Sequence, residues 1–433
     1  MTIYLGLGAN DGNRMERMEC AIDKLVGAGF HLQRVSPVVE SPALLPPDAD
    51  PAWHKPYLNL VISGDTRWQP AEGLAIAKQI ERDLGRQPSI RWSPRPIDID
   101  VLLWHDHQLH HDTDFGKLTI PHADARRRNF VLTPLLHLRP DLPVGENGET
   151  VFALTRRIRP IPLWMAIINV TPDSFSDGGG WAAPGELDAH LDKLIERNVH
   201  IIDIGAESTR PGGRPLDPDA EWKRLEPVLA NLAERLRGRR IRPWVSVDSR
   251  NPATIDKALK YGLDMINDVT GLTDPGMMAV AKQSNCQAVA MHSLSVPVDP
   301  ALKLPDDRNA AQQIIEWAER KMEIWAKAGL DLNRIFLDPG IGFGKSATQA
   351  LELLSGCREL RRTGLRLLIG HSRKSFMAGM TRRPAARRDL ETLGMSLSLC
   401  AQGVDVIRVH SPFIHLRAHL AWAHLTSPQI AAD

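Results

Sequence analysis

Between residues 163 and 409 the chain repeats one pattern eight times: a short apolar, β-branched run, then a longer stretch with helical periodicity. The apolar runs fall at 163–168, 200–204, 243–247, 265–266, 287–291, 335–337, 365–369 and 404–409. Near-continuous apolar runs are the mark of parallel strands buried on both faces, and segments such as 311–328 space their apolar residues as a helix does. Eightfold strand–helix alternation predicts a (β/α)8 TIM barrel, and a length of roughly 270 residues suits the roughly 250 usual for that fold.

Upstream the rhythm differs. Strands predicted at 3–7, 34–39, 59–64 and 98–104 alternate with helices at 14–28 and 70–84, which predicts an α+β ferredoxin-like domain. A Pro- and Gly-rich passage from 139 to 162, with the basic Arg156-Arg157-Ile158-Arg159, reads as the linker. The expected domains are therefore 1–158 and 159–433.

Composition narrows the classes of function. With 43% hydrophobic and 24% charged residues, the chain of 433 residues can build two cores and lacks a disorder signature. A formal net charge of +1 gives no general attraction to nucleic acid or an anionic membrane. Cys20, Cys286, Cys357 and Cys400 have no metal-binding spacing and read as reduced thiols. With no secretory or transit pattern and no apolar run near the roughly 20 residues of a membrane span, a cytoplasmic protein is expected.

In such barrels the chemistry sits where strands end. Here those ends carry Asn169, Glu207 with Thr209-Arg210, Asp248, Asn267-Asp268, His292, Asp338, Ser372-Arg373-Lys374, and Arg408 with His410. Any one could cap a helix, but eight polar ends together call for chemistry. Asn169 could ligate a hard cation, and Arg210, Arg373, Lys374, Arg408 and His410 could hold a polyanion. Asp248, Asn267 and Asp338 would face a neutral, nitrogen-rich ligand. The segment from Gly340 to Ser346 is not a Walker loop, because three residues instead of four separate its first glycine from Gly344-Lys345. Its glycines suit a backbone passing close to a flat ligand beside Phe343. Two Gly/Pro-rich loops, 171–185 and 208–220, are placed to close over substrate.

In the first domain, strand alternation puts Asp98 and Asp100 on one face. Two such carboxylates can hold magnesium against nucleotide phosphates, with Arg91 and Arg95 nearby.

The runs Asn169-Val-Thr-Pro-Asp-Ser-Phe-Ser-Asp-Gly-Gly, Asp203-Ile-Gly-Ala-Glu-Ser-Thr-Arg-Pro-Gly, Ser246-Val-Asp-Ser, Ile266-Asn-Asp-Val, Leu337-Asp-Pro-Gly-Ile-Gly-Phe-Gly-Lys, Ser372-Arg-Lys-Ser and Arg408-Val-His resemble dihydropteroate synthase. The resemblance implies condensation of a dihydropterin methyl diphosphate with para-aminobenzoate, releasing diphosphate. It implies that Asn169 binds the magnesium-diphosphate, and that Thr209, Arg210, Arg408 and His410 grip the diphosphate. Asp248, Asn267, Asp338 and Lys374 would surround the pterin, with Phe343 and Arg373 lining the site. Phe175, Thr209, Pro211 and Ser372 would form the aminobenzoate pocket, and Asp338 and Lys374 would be catalytic. The chain departs from the family at Met291-His292-Ser293-Leu294-Ser295 and at Ser411, where aspartate is usual.

The first domain, through Gly6-Leu-Gly8-Ala-Asn10, Tyr57-Leu-Asn59, Arg86, the segment Arg91 to Asp100, and Ile120-Pro-His122 to Phe130, resembles hydroxymethyldihydropterin pyrophosphokinase. That family transfers diphosphate from ATP to the pterin hydroxymethyl group and releases AMP. The implied roles are Asp98 and Asp100 for magnesium, and Arg86, Arg91, His122 and Arg128 for ATP, with Arg86, Arg91 and the two aspartates catalytic. Ser41, Pro42, Leu44, Tyr57, Asn59, Trp92 and Phe130 would make the pterin slot. Ala9 stands where serine is commoner, and the stretch between Gly85 and Trp92 is one residue shorter than in some members.

Together these features predict a bifunctional folate-biosynthesis enzyme using ATP and Mg2+, homodimeric through the barrel. A pterin-dependent methyltransferase barrel is the rival enzyme reading; a degenerate, non-catalytic binding domain is the rival outside enzymology. The diphosphate-suited Ser372-Arg-Lys-Ser and Arg408-Val-His oppose the first, and the Asp98/Asp100 pair the second.

Overall fold

The computed structural model describes residues 2–88, 90, 92–104, 108–114, 116–145, 147–170, 185–207 and 216–426. The chain divides into two compact units, one built chiefly from Met1–Ile161, the other from Pro162–Gly238 and Arg242–Ala418.

The first unit carries β1 (Ile3–Ala9), β2 (His31–Val35), β3 (Val39–Ser41), β4 (Tyr57–Asp65) and β5 (Asp98–Trp104) in one sheet. Its order is β2-β4-β1-β5 with β3 alongside β4, and every pairing is antiparallel. With α1 (Arg14–Gly27) and α2 (Pro70–Asp83) between the strands, this is the ferredoxin-like arrangement. Strand alternation sorts the two faces. Leu5, Leu7, Ile99 and Val101 pack with Ile22, Leu25, Ala77 and Ile80 of the two helices. Tyr4, Val61 and Leu102 form a second core with Leu132, Leu135 and Leu136 of the helix Asn129–Leu138.

One predicted strand, 34–39, is two strands. Pro37 has no N–H to give to a ladder, and the Ser36 side chain fills the break: its Oγ accepts from Val61 N at 2.9 Å while Ser36 N donates to Val61 O at 2.9 Å. The hairpin β6 (Leu109–Thr113) and β7 (Gly116–Ile120) was not predicted.

In the second unit β8 (Leu163–Asn169), β9 (Ile201–Gly205), β10 (Trp244–Asp248), β11 (Met265–Asp268), β12 (Gln287–Met291), β13 (Ile335–Asp338), β14 (Arg366–Ile369) and β15 (Val406–Val409) close into a barrel. All eight pairings are parallel. Asn169, Asp248, Asn267 and Asp338 belong to the strands themselves, so the sheet fixes their backbone. Helix caps come from elsewhere: Asp217, Asp274, Asn309 and Ser346 accept from main-chain N–H groups of the first turns they precede.

Candidate active sites

In the first unit the site begins with missing side chains. Gly6 and Gly8 share a face of β1, and a Cβ at Gly8 would stand 3.4 Å from Asn59 Oδ1 and 3.6 Å from the Tyr57 ring. The space so left is part of a cavity of about 120 Å³ lined by Ser41, Pro42, Leu44, Tyr57, Asn59, Trp92, Phe130, Asp98, Asp100, Arg95 and Arg128. Asn59 Nδ2 donates to Ser41 Oγ at 3.1 Å, fixing both polar groups in the wall. Asn10 clasps the loop that carries Trp92 and Arg95: its Oδ1 accepts from Arg95 N at 2.8 Å and its N donates to Arg95 O at 3.2 Å.

Asp98 and Asp100 project from β5 into this cavity but live in different fields. Asp98 Oδ1 takes Arg86 at 2.5 Å, its Oδ2 takes Arg95 at 2.9 Å, and Lys78 lies 3.8 Å away. Burial works against the Asp98 charge, yet Lys78, Arg86 and Arg95 outweigh it and hold the carboxyl at about 2. Burial raises the Asp100 carboxyl, and the Asp98 charge raises it further, against the pull of His122, Lys78 and Arg128. Among the described residues no cation forms an ion pair with Asp100.

Behind the pair stands Glu81 of α2, 2% exposed. It accepts from Ile99 N, between the two aspartates, at 2.7 Å, and pairs with Lys78 at 2.7 Å and Arg86 at 2.6 Å. Sequence reasoning missed Lys78 and Glu81, because they read as a pair within their own helix and their further partners, Arg86, Asp98 and Ile99 N, lie outside it. His122 donates its main-chain N–H to Leu102 O at 2.9 Å, and Arg128 pairs with Asp124 at 2.5 Å while its guanidinium lies 5.7 Å from the Phe130 ring centre. Arg91 lies outside the described residues.

The strand ends of the barrel assemble a second polar cluster. Arg408 Nε donates to Asp203 Oδ2 at 2.6 Å and its Nη2 to Asp248 Oδ2 at 2.7 Å; Asn267 Nδ2 donates to Asp203 Oδ2 at 3.1 Å. Asp338 approaches the same place: a Cβ on Gly370 would stand 3.8 Å from Asp338 Oδ2 and 4.0 Å from Arg408 Cβ. Lys374 donates to Ile341 O and lies 4.9 Å from the Phe343 ring centre.

Burial dominates the electrostatics here. It lifts Asp248 to about 7, with Arg408 opposing and Asp203, Glu221 and Asp268 adding to the rise. It raises Asp338, against the pull of Lys374, and lowers Lys374 to about 8, against the pull of Asp338. A carboxyl titrating near 7 can take or give a proton at neutral pH.

Beside this cluster Ser372 Oγ lies 2.9 Å from His410 Nδ1. Arg373, with φ 59°, turns its guanidinium to Asp389 at 2.7 and 2.8 Å and to Ser411 Oγ at 3.1 Å. Asp389 thus supplies a carboxylate next to Ser411, where the family's aspartate is missing. Asn169 ends β8, level with Gly205 of β9.

Other polar ends serve the scaffold. Asp268 accepts from Thr270 N and Leu272 N, each at 2.8 Å, closing its own turn, and Glu207 holds Arg250 at 2.9 and 3.2 Å. Phe175, Thr209, Arg210 and Pro211 lie outside the described residues. Asp203, 0% exposed, was missed as a site residue; its signal was a carboxylate interrupting the apolar run Ile201-Ile202-Asp203-Ile204.

A ferredoxin-like unit with an acidic pair opening on a cavity, and a barrel with carboxylates and cations at its strand ends, define a chain with two separate candidate active sites. Residues 165–410 match the family model described as "Pterin binding enzyme", and residues 4–140 match that of "7,8-dihydro-6-hydroxymethylpterin-pyrophosphokinase (HPPK)". The "Folate synthesis bifunctional protein" of Chlamydia trachomatis serovar D is 36% identical over 97% of this chain and 98% of its own. One of the same description from Arabidopsis thaliana is 31% identical over 94% of this chain and 93% of its own. Two solved dihydropteroate synthases are similar to the barrel. That of Xanthomonas albilineans with 4-aminobenzoic acid has 30% identity and TM-score 0.55, covering 62% of this chain and 94% of its own. That of Anaplasma phagocytophilum with bound 6-hydroxymethylpterin-monophosphate has 33% identity and TM-score 0.53, covering 61% and 98%. The chain belongs to the bifunctional folate-synthesis family, uniting a hydroxymethyldihydropterin pyrophosphokinase with a dihydropteroate synthase.

Proposed function

We propose that domain 1–158 makes the substrate of domain 159–433, with roles for individual residues as follows. In the first step the pterin hydroxymethyl oxygen attacks the β-phosphorus of ATP, the bond to the α-phosphate oxygen breaks, AMP leaves and the hydroxyl proton is lost. Ser41 and Asn59 hold the pterin edge, and Tyr57, Trp92 and Phe130 supply apolar faces for its ring. Arg86, Arg91, His122 and Arg128 take the ATP phosphates and nucleotide.

The donor set suits Mg2+, which favours one or two carboxylates with substrate phosphates and waters as its other ligands. Asp98 is ionised, and Asp100, with its carboxyl raised and no ion-pair partner among the described residues, gains from an added cation. Bound Mg2+ would neutralise phosphate charge as the bond to AMP breaks.

In the second step the C–O bond of the pterin methyl diphosphate breaks, diphosphate leaves, and the amine of para-aminobenzoate bonds to the methylene carbon and gives up a proton. Loss of the leaving group comes first, because the buried carboxyl of Asp338, beside Lys374, favours a cationic pterin. Asp248, Asn267, Asp338 and Lys374 surround the pterin, with Phe343 and Arg373 lining the site. Asn169, Thr209, Arg210, Arg408 and His410 take the Mg2+-diphosphate, and Phe175, Thr209, Pro211 and Ser372 the aminobenzoate.

One observation carries the reading: two carboxylates and a pair of fixed polar groups share one aromatic-lined cavity in a chain whose barrel gathers Asp248, Asn267, Asp338 and Lys374. A homodimer through barrel helices and a cytoplasmic location complete the proposal; among the described residues no helix is long and apolar enough to cross a membrane. The test is an assay of the purified chain with ATP, Mg2+, 6-hydroxymethyl-7,8-dihydropterin and para-aminobenzoate. AMP and dihydropteroate should both form, and dihydropteroate should require the diphosphate ester; turnover indifferent to that ester overturns the barrel assignment.

A further inference from the structure

A carboxylate inside an apolar strand must earn its place, because burying a charge is unfavourable unless it is paired and hydrogen-bonded. Asp203 of β9 is 0% exposed, and the flanking Ile202 and Ile204 are buried as well. Its Oδ1 accepts from Ser246 Oγ of β10 at 2.6 Å. Its Oδ2 accepts from Asn267 Nδ2 of β11 at 3.1 Å and from Arg408 Nε of β15 at 2.6 Å. One carboxylate therefore ties together side chains from three other strands.

The contact with Asn267 decides which way its amide faces. An amide has a donor end and an acceptor end of nearly the same shape, and a partner that can only accept, such as a carboxylate, fixes the choice. With Nδ2 committed to Asp203, the Asn267 oxygen is turned away from it. The contact with Arg408 is equally selective, since Nε goes to Asp203 and Nη2 to Asp248, which sets the plane of the guanidinium.

We propose that Asp203 is the positioning residue of the pterin site: it fixes the amide of Asn267 and the guanidinium of Arg408, and so writes the donor and acceptor pattern that a pterin meets. The inference rests on the pterin reading of the barrel. Asp203 touches no substrate; it acts through Asn267, Arg408 and Asp248. The charged groups that act on Asp248 include Arg408 of β15, Asp203 of β9, Asp268 of β11 and Glu221 of the helix Pro218–Leu236, with Lys374, beyond β14, also in its field. Removing the Asp203 charge leaves Asp248 with one negative neighbour fewer and a less contested Arg408, and both changes ease its ionisation.

The experiment uses the full chain and Asp203→Asn, with kcat and KM for each barrel substrate measured at pH values either side of 7. KM for the pterin diphosphate should rise by about tenfold, as expected when a charged hydrogen-bond acceptor is lost, while KM for para-aminobenzoate holds. The acid limb of the pH profile should move to lower pH. Wild-type KM and an unmoved limb overturn the proposal, as does an equal rise in both KM values with the limb in place, the mark of a purely structural residue. An unchanged KM for para-aminobenzoate together with a wild-type circular-dichroism spectrum reports that the barrel is folded. Should Asp203→Asn fail to fold, Ser246→Ala frees Oδ1 alone, and the same split at about threefold is expected; its absence overturns the proposal. A wild-type chain that makes no dihydropteroate sinks the pterin reading and this inference with it, whereas an active wild type beside an unaffected variant sinks the inference only.

Discussion

Lys345 Nζ lies 2.7 Å from His292 Nδ1 and donates to the carbonyl oxygens of His292 and Phe343, each at 2.9 Å. The lysine of the Gly-rich segment is thus turned inward, and the segment is a scaffold for Phe343 and not a phosphate cradle. Gly340 belongs to the same arrangement: its φ is +68°, and a Cβ there would stand 1.9 Å from His292 O. Burial, with Lys345 beside it, pushes His292 down to about 3, so the ring is neutral and can accept from Lys345 Nζ, which burial likewise lowers.

Lys345→Met should therefore cost stability and spare diphosphate binding in the barrel. It leaves two buried carbonyl oxygens and a ring nitrogen without their donor, at a cost of about 3 kcal/mol. Urea unfolding should show the loss, while inhibition of dihydropteroate formation by inorganic diphosphate keeps its wild-type strength. A large loss of that inhibition would restore a phosphate role.

Asp98→Asn should abolish the first activity and leave the second. AMP formation should fall by about a hundredfold or more, while dihydropteroate formation from supplied diphosphate ester is unchanged. The variant also tests a pH linkage. Asp98 is lowered from 3.8 to about 2 in the fold, so its contribution is fully present above the unfolded value and is lost as pH falls through about 2. Wild type should lose this stability between roughly pH 4 and 2, and Asp98→Asn should show no such slope in acid-unfolding curves.

Asp248 gives a linkage of the opposite sign. Its carboxyl is raised from 3.8 to about 7, so the fold retains a proton that the unfolded chain releases, and the stability this confers is lost as pH rises through about 7. A pterin that donates N–H groups to Asp248 needs the ionised form. Affinity for 6-hydroxymethylpterin, measured by calorimetry, should rise by up to about tenfold per pH unit below 7 and level off above it. Asp248→Asn should flatten that slope; a slope that survives would move the titration to another group.

The barrel was legible because parallel strands buried on both faces announce themselves as unbroken apolar runs, and the strand-end residues follow each run directly. The cavity of the first unit was legible through Tyr57, Asn59 and the alternation of Asp98 with Asp100. Partnerships across the chain were not. Asp203 and Arg408 are 205 residues apart, and no local pattern joins them. Lys78 and Glu81 look like an ordinary exposed pair on α2 until β5 is laid against them. The hairpin β6–β7, with His110, His111 and Asp112 in one strand, carries too little apolar alternation to read as a strand.

Arg408 is where the two carboxylates paired with it, Asp203 and Asp248, can be separated by experiment. Its side chain is 19% exposed and is the cation paired with both Asp203 and Asp248. Arg408→Ala leaves Asp203 and Asp248 without their cation in a poorly solvated site, which should cost about 3–5 kcal/mol and push Asp248 higher still. The acid limb of any remaining activity should then move to higher pH, opposite to the shift expected for Asp203→Asn. Arg408→Lys keeps the charge but offers one compact ammonium in place of a planar fork, so it can satisfy one aspartate at a time. It should recover part of the stability and leave KM for the pterin diphosphate raised. Urea unfolding and the pH profile of dihydropteroate formation test both variants together. If Arg408→Ala kept wild-type stability with an unmoved limb, the aspartates would not depend on Arg408, and the paired geometry at the strand ends would not be what sets their charge.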